Sequence, residues 1–446
     1  MAARQLNVAI LGGGMFFEDI IGQSFKDFIR GGFGGALTSI GMSHLTRDVA
    51  DIGVNVVAVG THSAKRGTAG KIREWFAADL PDAAPAAYYG ATVWEEICDR
   101  HAVDVLFVAT PDHLHIDPIR FALSRGIHVV TEKPMCLRTV EADEIIAASR
   151  EKNLIVAVDM HKRYDPFVRE MFTHSLAKYD RINRVRAVLE EPLEVSTEIF
   201  AWAEQSNPFT YVGCHWLDVV AHYMDVKPIA LYATGQQNLL VNWDRYVKKV
   251  AERQGKPLDA YSRHEPIRTW DSMDVNVTYD NGMRGDYSNN WINPYEFEGA
   301  VNQEIELYGV LGRGMVDQQD RGFREAVCGD GSRTRNPTFG GRVRHAGGHL
   351  ELFGYGKASI VAGLLAAARV KFLGETSAGL AGTYPDAASQ RSITMIIEAA
   401  AEVAKRNLAH LGTRGASPVT ATFTDGAITI VDPFEDIPEQ NLYQRD

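Results

Sequence analysis

Short apolar runs alternate with longer amphipathic stretches through the first 160 residues, and this alternation constrains the fold more than any other feature. The runs are rich in Val and Ile and lack a polar face, so both faces of each must be covered. Alternation of this kind predicts a doubly wound parallel sheet. The predicted strands are residues 6–11, 55–59, 103–109, 128–131 and 154–158, with helices that include 116–125 and 140–152.

The pattern changes after about residue 165, where predicted strands begin to alternate apolar and polar positions. Such alternation is typical of antiparallel sheets with one solvated face. Asp280-Asn281-Gly282 is a strong hairpin signal, because Asn-Gly suits turns that need positive φ. The predicted strands are residues 184–189, 229–234, 274–279, 283–289 and 303–308, with a strand pair within 420–431, a helix over 388–407 and an irregular loop over 320–347.

Together these patterns predict an α/β protein of two domains. Residues 1–161 are expected to form a Rossmann domain with a doubly wound parallel sheet. Residues 162–446 are expected to form a C-terminal α/β domain with a large, mostly antiparallel open sheet. The chain has 446 residues and is 45% hydrophobic, which is enough for two such cores.

Composition argues against several classes of function. Lys and Arg number 46 against 57 Asp and Glu, and the formal charge of −11 speaks against a nucleic-acid surface. No apolar stretch approaches 18 residues and the start has no apolar signal region, so no membrane span or leader is expected. The scattered cysteines predict a reducing, cytoplasmic location. They are Cys98, Cys136, Cys214 and Cys328.

A glycine-rich loop follows the first predicted strand. Glycines there let the backbone approach a pyrophosphate, which the N-terminus of a following helix attracts. The predicted cofactor contacts of this loop are Gly12, Gly14, Met15 and Phe16, and Phe17 stands where the fingerprint has its third small residue. A merely tight strand–helix turn is the alternative. Residues 22–50 are predicted to be an enlarged loop.

The end of the second predicted strand bears on the choice between NAD and NADP. Thr61, His62, Ser63 and Arg66 are predicted cofactor contacts. Lys65, in the same segment, is the second of its two cations. The segment has no acidic residue to hold a ribose diol, and its hydroxyls and cations would accept a 2′-phosphate. We therefore expect NAD or NADP, with a slight preference for NADP. The alternative is a solvated turn whose cations face water.

The third predicted strand is followed by a segment that should also line the cofactor crevice. Thr110, Pro111, His113 and His115 are its predicted cofactor contacts, because carboxyl strand ends border the crevice of a doubly wound sheet. A histidine at such a place is alternatively a helix cap or a gap filler. The two histidines lack the spacing and carboxylate neighbours of a metal site, so no catalytic metal is predicted.

Lys133 follows the fourth predicted strand within Thr131-Glu132-Lys133-Pro134. Proline restricts the preceding residue to extended conformations, which helps to aim the lysine side chain. A lysine at the edge of a nicotinamide pocket can hydrogen-bond a substrate hydroxyl. An exposed lysine in a turn is the alternative, and the strand-end location speaks against it.

A helical segment in the second half carries an acid–base pair. Asp218 and His222 are four residues apart and share one helix face, with His215 one turn before Asp218. A histidine with a pKa near about 6.5 suits removal of a hydroxyl proton near neutrality. A structural helix pair is the alternative interpretation.

These motifs resemble the Gfo/Idh/MocA family, named for glucose-fructose oxidoreductase, inositol dehydrogenase and rhizopine catabolism. The resemblance rests on the glycine loop, the Thr110-Pro111 segment with His115, the Glu132-Lys133-Pro134 motif, residues 161–166 and the helix with Asp218 and His222. It implies a Rossmann domain followed by an α/β domain whose open sheet forms homodimer or homotetramer contacts. It also implies that Lys133 and His222 are the catalytic pair and that Asp218 supports them.

The implied activity is NAD(P)-dependent oxidation of a secondary hydroxyl on a sugar, glycoside or cyclitol. Glu132, Lys133 and Arg163 are expected at the cofactor. The predicted substrate contacts, chosen for ring stacking or hydrogen bonding, are Lys133, Arg163, Tyr211, His215, Asp218, His222, Asn290, Trp291 and Arg321.

Two alternatives keep the cofactor but change the function. The first is an NAD+-dependent glycosidase that oxidises its sugar transiently, as some members of the family do, and the Arg-rich segment 321–344 would suit an anionic or sulfonated sugar. The second is a cofactor-binding regulator without turnover, which the presence of both Lys133 and His222 disfavours.

Overall fold

The computed structural model describes residues 4–14, 17–297, 299, 301–319, 323–327, 331–411 and 418–433. The helices and strands in chain order are β1 (Arg4–Leu11), α1 (Gly22–Ser39), β2 (Ile52–Thr61), α2 (Thr68–Asp79), β3 (Ala86–Tyr89), α3 (Val93–Arg100), β4 (Val105–Val108), α4 (Ile116–Ser124), β5 (His128–Thr131), α5 (Thr139–Glu151), β6 (Val156–Val158), α6 (Pro166–Glu170), β7 (Ile182–Pro192), α7 (Cys214–Met224), β8 (Pro228–Gln236), α8 (Trp243–Gln254), β9 (Ser272–Tyr279), β10 (Arg284–Asn293), β11 (Asn302–Gly309), β12 (Arg313–Asp317), β13 (Phe323–Val327), β14 (Gly331–Arg335), α9 (Pro337–Gly340), β15 (Gly341–Arg344), β16 (Leu350–Phe353), α10 (Ala358–Leu373), α11 (Ala387–Ala409), β17 (Thr420–Thr424) and β18 (Ala427–Val431).

The first of two compact units comprises Met1–Pro166 and Pro337–Arg391. Its six-stranded sheet has the order β3-β2-β1-β4-β5-β6, and the described pairings are all parallel. β4 and β5 are buried at every position, because the sheet is covered on both faces. The predicted doubly wound sheet is confirmed. The sequence prediction lacked β3, whose four residues are only half-buried.

Helix α10 explains why a late segment of the chain belongs to the first unit. Its residues 358–368 are buried without interruption, and a helix that is apolar on all sides must lie inside a core. Gly363 lies so close to the sheet that a Cβ would meet the Ala157 side chain at 2.7 Å. The predicted division at residues 161 and 162 therefore differs from the structure, which returns residues 337–391 to the parallel sheet.

Residues 22–39 form helix α1, so the predicted enlarged loop over residues 22–50 is wrong for most of its length. The glycines misled the prediction: Gly32, with φ of +56°, is a non-helical kink that divides α1 into two helical parts, and residues on both sides of it are helical. Phe25 and Phe28 bury the inner face. The buried Lys26 ammonium donates to the Asp79 carboxylate at 2.6 Å and lies over the Trp75 ring, which anchors α1 on α2.

The second unit comprises Phe167–Asn336 and Ser392–Asp446. Its eight-stranded sheet has the order β12-β11-β7-β10-β9-β8-β17-β18, in which β7 and β10 are parallel and the other pairs are antiparallel. The predicted Asn281-Gly282 turn joins β9 and β10, with Gly282 at φ of +83°. The mostly antiparallel sheet is confirmed.

The predicted irregular loop over residues 320–347 is wrong where the structure describes it. The described parts contain two-stranded sheets formed by β13 with β14 and by β15 with β16. Short strands such as Gly331–Arg335 carry small and charged residues and therefore give no apolar signal. Residues 320–322 and 328–330 lie outside the described residues.

Replacing Leu364 of α10 by Ala tests this account of the first unit. Leu364 is fully buried in the core that contains Val8 and Ile10, so the variant should lose about 2–5 kcal/mol of unfolding free energy. Denaturant unfolding measures the loss. Leu311→Ala is the control, because Leu311 is 75% exposed and should cost less than about 0.5 kcal/mol. Equal costs for the two variants would contradict the account.

Candidate active site

The glycine loop after β1 is shaped by close backbone contacts on one side and open space on the other. A Cβ at Gly12, which has φ of +96°, would meet the Ala109 carbonyl oxygen at 2.1 Å. A Cβ at Gly13 would meet the Ile72 side chain at 2.5 Å, whereas one at Gly14 would meet nothing within 4 Å. The loop thus packs tightly on the protein at Gly12 and Gly13, whereas a Cβ at Gly14 would meet no atom of the described residues, which do not include 15 and 16. The predicted contacts Met15 and Phe16 lie outside the described residues.

Phe17, the departure from the glycine fingerprint, faces the core. It is 2% exposed and opens a π-helical turn, Phe17–Ile21, that leads into α1. Its ring meets the Trp75 ring edge-on, with centroids 6.3 Å apart. The large side chain therefore packs into the core of the first unit.

Two threonine hydroxyls end strands of the same sheet. Thr61 closes β2, and Thr110 follows β4. The Oγ1 atoms of both are buried and have no hydrogen-bond partner among the described residues. Buried hydroxyls are normally satisfied, so two such atoms at one edge of the sheet are a reason to expect a ligand there.

The turn after β2 is solvent-exposed, as its predicted role at the cofactor ribose requires. His62, Ser63, Lys65 and Arg66 are all exposed. The Ser63 hydroxyl accepts the Lys65 backbone N–H at 3.2 Å and caps a short 3₁₀ turn. Both cations therefore stand on a fixed turn beside Thr61.

His115 is a correction to the predicted cofactor contacts. It is 1% exposed, and its Nδ1 and Nε2 atoms lie 2.7 Å and 2.9 Å from the carbonyl oxygens of Pro134 and Thr110. Burial lowers the pKa of this imidazole. His115 therefore ties the segment after β4 to the segment after β5 and offers no ring nitrogen to a cofactor. His113, two residues earlier, is half-buried.

The segment after β5 places Lys133 inside the unit. Lys133 is 7% exposed and precedes a cis peptide bond to Pro134. The Glu132 side chain accepts the Lys133 backbone N–H at 3.3 Å. Asp159 is the first residue after β6, and its backbone N–H donates to the Thr131 carbonyl at 2.8 Å. Burial raises the pKa of the Glu132 and Asp159 carboxyl groups.

Asp159 and His161 belong to the site but were missed as candidates by the sequence prediction. Their signal was available, because polar residues that directly follow the last strand of a doubly wound sheet share the edge with those after the other strands. Arg163, which the prediction did include, is 4% exposed and donates to the Ser389 hydroxyl at 3.1 Å.

The first unit thus fits a dinucleotide cofactor. The strand order is that of two βαβαβ halves, with β1 and β4 adjacent where the order reverses. Gly14 leaves room for a pyrophosphate, and the Thr61 and Thr110 hydroxyls are buried without partners among the described residues. These residues, with the exposed turn after β2, would hold the cofactor.

In the second unit, α7 carries the predicted acid–base residues in different environments. His215 is 4% exposed and Asp218 is fully buried, whereas His222 is exposed. The His222 ring lies 4.6 Å from the Tyr223 ring, which stacks on Phe172 at 5.2 Å. The two histidines are seven positions apart, which separates them by about 10 Å along the helix axis.

The N-terminal end of α7 adjoins a group of aromatic side chains. Tyr211 lies in the π-helical turn Phe209–Gly213, and its ring is 4.8 Å from Phe200, 5.5 Å from Trp202 and 6.2 Å from Trp291. Trp202 and Tyr211 are half-buried, so each has a ring surface in contact with solvent.

Two predicted substrate contacts are corrected by this geometry. Trp291 is fully buried, and its indole N–H donates to the Glu191 carboxylate at 2.8 Å, so it supports the aromatic group from inside. Asn290 points to the other face of β10, because side chains alternate along a strand. Asn289 faces α7 instead, with its Oδ1 atom 2.9 Å from the position of a Cβ at Gly213. Arg321 lies outside the described residues.

Comparison with known families identifies the class of protein. Residues 6–160 match the oxidoreductase family with an NAD-binding Rossmann fold, and residues 179–313 match the GFO/IDH/MocA C-terminal domain. The chain therefore belongs to the Gfo/Idh/MocA family of NAD-binding oxidoreductases, and the resemblance seen in the sequence is confirmed.

Curated relatives match parts of the chain. UDP-N-acetylglucosamine 3-dehydrogenase of Acidithiobacillus ferrooxidans is 35% identical over 66 residues, which are 15% of this chain and 21% of the relative. D-glucoside 3-dehydrogenase of Escherichia coli is 26% identical over 157 residues, 33% of this chain and 41% of the relative. The NADP(+)-dependent scyllo-inositol 2-dehydrogenase of Bacillus subtilis is 34% identical over 71 residues, which are 16% of this chain and 20% of the relative. The chain thus spans less than half of each relative.

Solved structures match over nearly the whole chain. GenD2 from gentamicin A biosynthesis, in complex with NAD, has a TM-score of 0.61 at 16% identity, covering 96% of this chain and 97% of its own. Scyllo-inositol dehydrogenase from Lactobacillus casei, with NAD(H) and scyllo-inositol, has a TM-score of 0.58 at 13% identity, covering 91% and 98%. At these identities the likeness establishes the fold alone.

The described part of the chain lacks two features, a group of metal-binding side chains and a membrane-spanning helix. Among the described residues, no three or more His, Cys, Asp or Glu side chains are grouped so that they could hold a metal ion. Nor does any described helix have the length and apolarity needed to cross a membrane.

Gly14→Val tests the proposed cofactor loop. The added Cβ meets no atom of the described residues within 4 Å, so the fold should persist, but the side chain would occupy the space proposed for a pyrophosphate. We expect at least about a tenfold loss of NAD(H) or NADP(H) affinity, equivalent to about 1.4 kcal/mol, by fluorescence titration. Gly35→Val, also in open space, is the control. Unchanged affinity in Gly14→Val would place the cofactor elsewhere.

Proposed function

We propose that this protein is an NAD(P)-dependent dehydrogenase that acts on a secondary hydroxyl of a sugar, glycoside or cyclitol. The observation that carries the proposal is Lys133, a buried cation that follows β5 at the sheet edge where Gly14, Thr61 and Thr110 fit a dinucleotide. The relatives' names support the substrate class, since they are dehydrogenases of sugar and inositol substrates.

Lys133 would act on the oxygen of the reacting hydroxyl. When bound, the nicotinamide ring supplies the hydride acceptor. Lys133 donates a hydrogen bond to the substrate oxygen, and this bond strengthens as negative charge develops there. A histidine of α7 takes the hydroxyl proton, and Asp218 orients the reacting groups.

Two histidines are candidates for the proton acceptor. His222 is the residue that the sequence resemblance assigns. His215 is the second candidate, because it is buried and its end of α7 adjoins Tyr211 and the buried face of β10. His222 lies at the other end, near Tyr223 and Phe172. The half-buried Tyr211 ring, which suits a sugar ring, therefore favours His215.

The cofactor is proposed to be NAD or NADP. The exposed Lys65 and Arg66 beside Thr61, without a carboxylate, support NADP slightly. A cytoplasmic location and assembly into a homodimer or homotetramer through the eight-stranded sheet stay predictions.

A transient-redox glycosidase is the alternative reaction for the same residues. The predicted anion site in segment 321–344 gains no support from Arg342 and Arg344, because Arg342 pairs with Asp19 and Arg344 donates to the Gly348 carbonyl. A panel of sugars, cyclitols and glycosides with both cofactors separates the two reactions. A dehydrogenase accumulates reduced cofactor, whereas a glycosidase releases aglycone without net redox change.

Lys133→Ala should lose most turnover while keeping its dinucleotide affinity within a few-fold, because the lysine acts mainly as the alkoxide develops. Steady-state kinetics on the best substrate of the panel, with cofactor titration, measures both. The exposed Lys178, replaced by Ala, serves as the control. Near-normal turnover of Lys133→Ala would make the lysine structural.

Replacing each histidine of α7 by Ala locates the proton acceptor. We expect His215→Ala to lose about 10²–10⁴-fold in turnover, as for a general base, and His222→Ala to lose much less. Wild-type oxidation should rise with pH as the accepting imidazole loses its proton, and the damaging variant should flatten this rise. If His222→Ala lost turnover strongly and His215→Ala lost much less, His222 would be the proton acceptor.

A further inference from the structure

A group of three aromatic rings lies where β6 ends and has no role in the mechanism above. The His161 ring lies 5.2 Å from the Phe339 ring and 6.0 Å from the Tyr355 ring, measured between centroids. The Phe339 and Tyr355 rings are 5.3 Å apart. Phe339 belongs to α9, and Tyr355 opens the 3₁₀ turn Tyr355–Lys357. A late segment of the chain, residues 337–357, therefore supplies two of the three rings.

His161 places this group at the carboxyl edge of the parallel sheet. It opens the 3₁₀ turn that follows β6, and its Nδ1 atom lies 3.7 Å from Oδ1 of Asp159. Asp159 in turn bonds through its backbone N–H to Thr131, the last residue of β5. Burial lowers the pKa of His161 to about 3, so its ring is neutral near pH 7. The group is thus an uncharged aromatic surface beside the ends of β5 and β6.

The late segment also reaches the other side of the sheet edge. A Cβ at Gly340 would lie 2.9 Å from the side chain of Ile20. Ile20 belongs to the π-helical turn Phe17–Ile21, which follows the glycine loop after β1. The segment therefore extends from the turn after the glycine loop to the turn after β6. Both turns border the crevice in which a doubly wound sheet binds a dinucleotide.

Close backbone packing holds Phe339 in place. A Cβ at Gly354, which has φ of +113°, would meet a backbone oxygen of α9 at 2.4 Å, and one at Gly356 would meet the Phe339 carbonyl oxygen at 2.8 Å. The buried Lys357 ammonium donates to the Asp27 carboxylate at 3.0 Å and ties the segment to α1. Phe339 itself is only half-buried. A fixed aromatic side chain thus keeps an accessible surface at the sheet edge.

The position of Phe339 indicates which half of a dinucleotide it would meet. In a doubly wound fold the adenosine ribose lies at the end of the second strand and the pyrophosphate at the helix after the first. The nicotinamide half therefore lies over the ends of β4 to β6, the side on which Phe339 contacts His161.

We propose that Phe339 is a cofactor-binding residue whose ring packs against the nicotinamide half of the dinucleotide. Aromatic side chains bind flat rings through large apolar contact areas, and such a contact also keeps water from the ring. The proposal rests on the proposed function, because it requires a nicotinamide cofactor in this crevice.

Titration of the whole protein with the cofactor and with a fragment that lacks nicotinamide tests the proposal. The probes are NAD(H) with ADP-ribose, or NADP(H) with 2′-phospho-ADP-ribose, whichever cofactor the wild type binds more tightly. Phe339→Ala should lose at least about fivefold in affinity for the cofactor, as loss of one aromatic contact implies, and keep its affinity for the fragment within about twofold. Isothermal titration calorimetry measures both affinities.

Two further variants separate the ring contact from a change of structure. Phe339→Tyr keeps the ring and should bind the cofactor within about twofold of the wild type. Phe121→Ala is the matched control, because Phe121 is a half-buried phenylalanine on α4 of the same unit. It should bind both the cofactor and the fragment like the wild type.

The outcomes distinguish failure of this proposal from failure of the proposed function. If Phe339→Ala loses equal affinity for cofactor and fragment, or loses none for either, the role of Phe339 falls and the proposed function stands. If the wild type binds neither NAD(H) nor NADP(H), the proposed function falls, and the role of Phe339 falls with it.

Discussion

The burial of the parallel sheet on both faces is the constraint on which the rest of the first unit depends. Strands such as β4 and β5 have no polar face, so helices must cover both sides. The chain meets this need partly with α10, whose segment 358–368 is buried throughout. Parallel strands covered in this way end at one common edge. The glycine loop, two threonine hydroxyls, Lys133 and Asp159 therefore share that edge although they are far apart in sequence.

Electrostatics then decides which residues at this edge can remain charged. An isolated buried ammonium costs several kcal/mol, so Lys133 needs a nearby negative charge. Burial raises the pKa of the Glu132 and Asp159 carboxyl groups, because it disfavours their charged forms. The same burial keeps His161 neutral near pH 7.

The sequence predicted what depends on local pattern. Apolar runs located most strands of both sheets, and the Asn281-Gly282 turn followed from the need for positive φ. Prediction from the sequence failed where contacts between distant residues determine the structure. Glycines in α1 suggested a loop, because nothing local shows that Phe25 and Phe28 bury its inner face. The return of α10 to the first sheet also depends on contacts between residues about 200 positions apart.

The candidate site was predictable to a similar degree. Lys133 and Thr110 could be placed because strand ends are visible in the sequence. His115 was misjudged, since only the structure shows that both ring nitrogens face backbone carbonyls. Asn290 was chosen for its amide group alone, and only the structure shows that the neighbouring Asn289 is the residue that packs against the turn before α7.

The central claim is that a hydride moves between a ring carbon of the substrate and the nicotinamide. Deuterium transfer tests this claim most directly. A substrate found active in the panel would be deuterated at its ring C–H positions and incubated with oxidised cofactor and enzyme. The mass of the cofactor would then be measured by mass spectrometry. The account predicts reduced cofactor carrying one deuterium, with a ketone product in equal amount. Substrate turnover that leaves the cofactor unlabelled would contradict it.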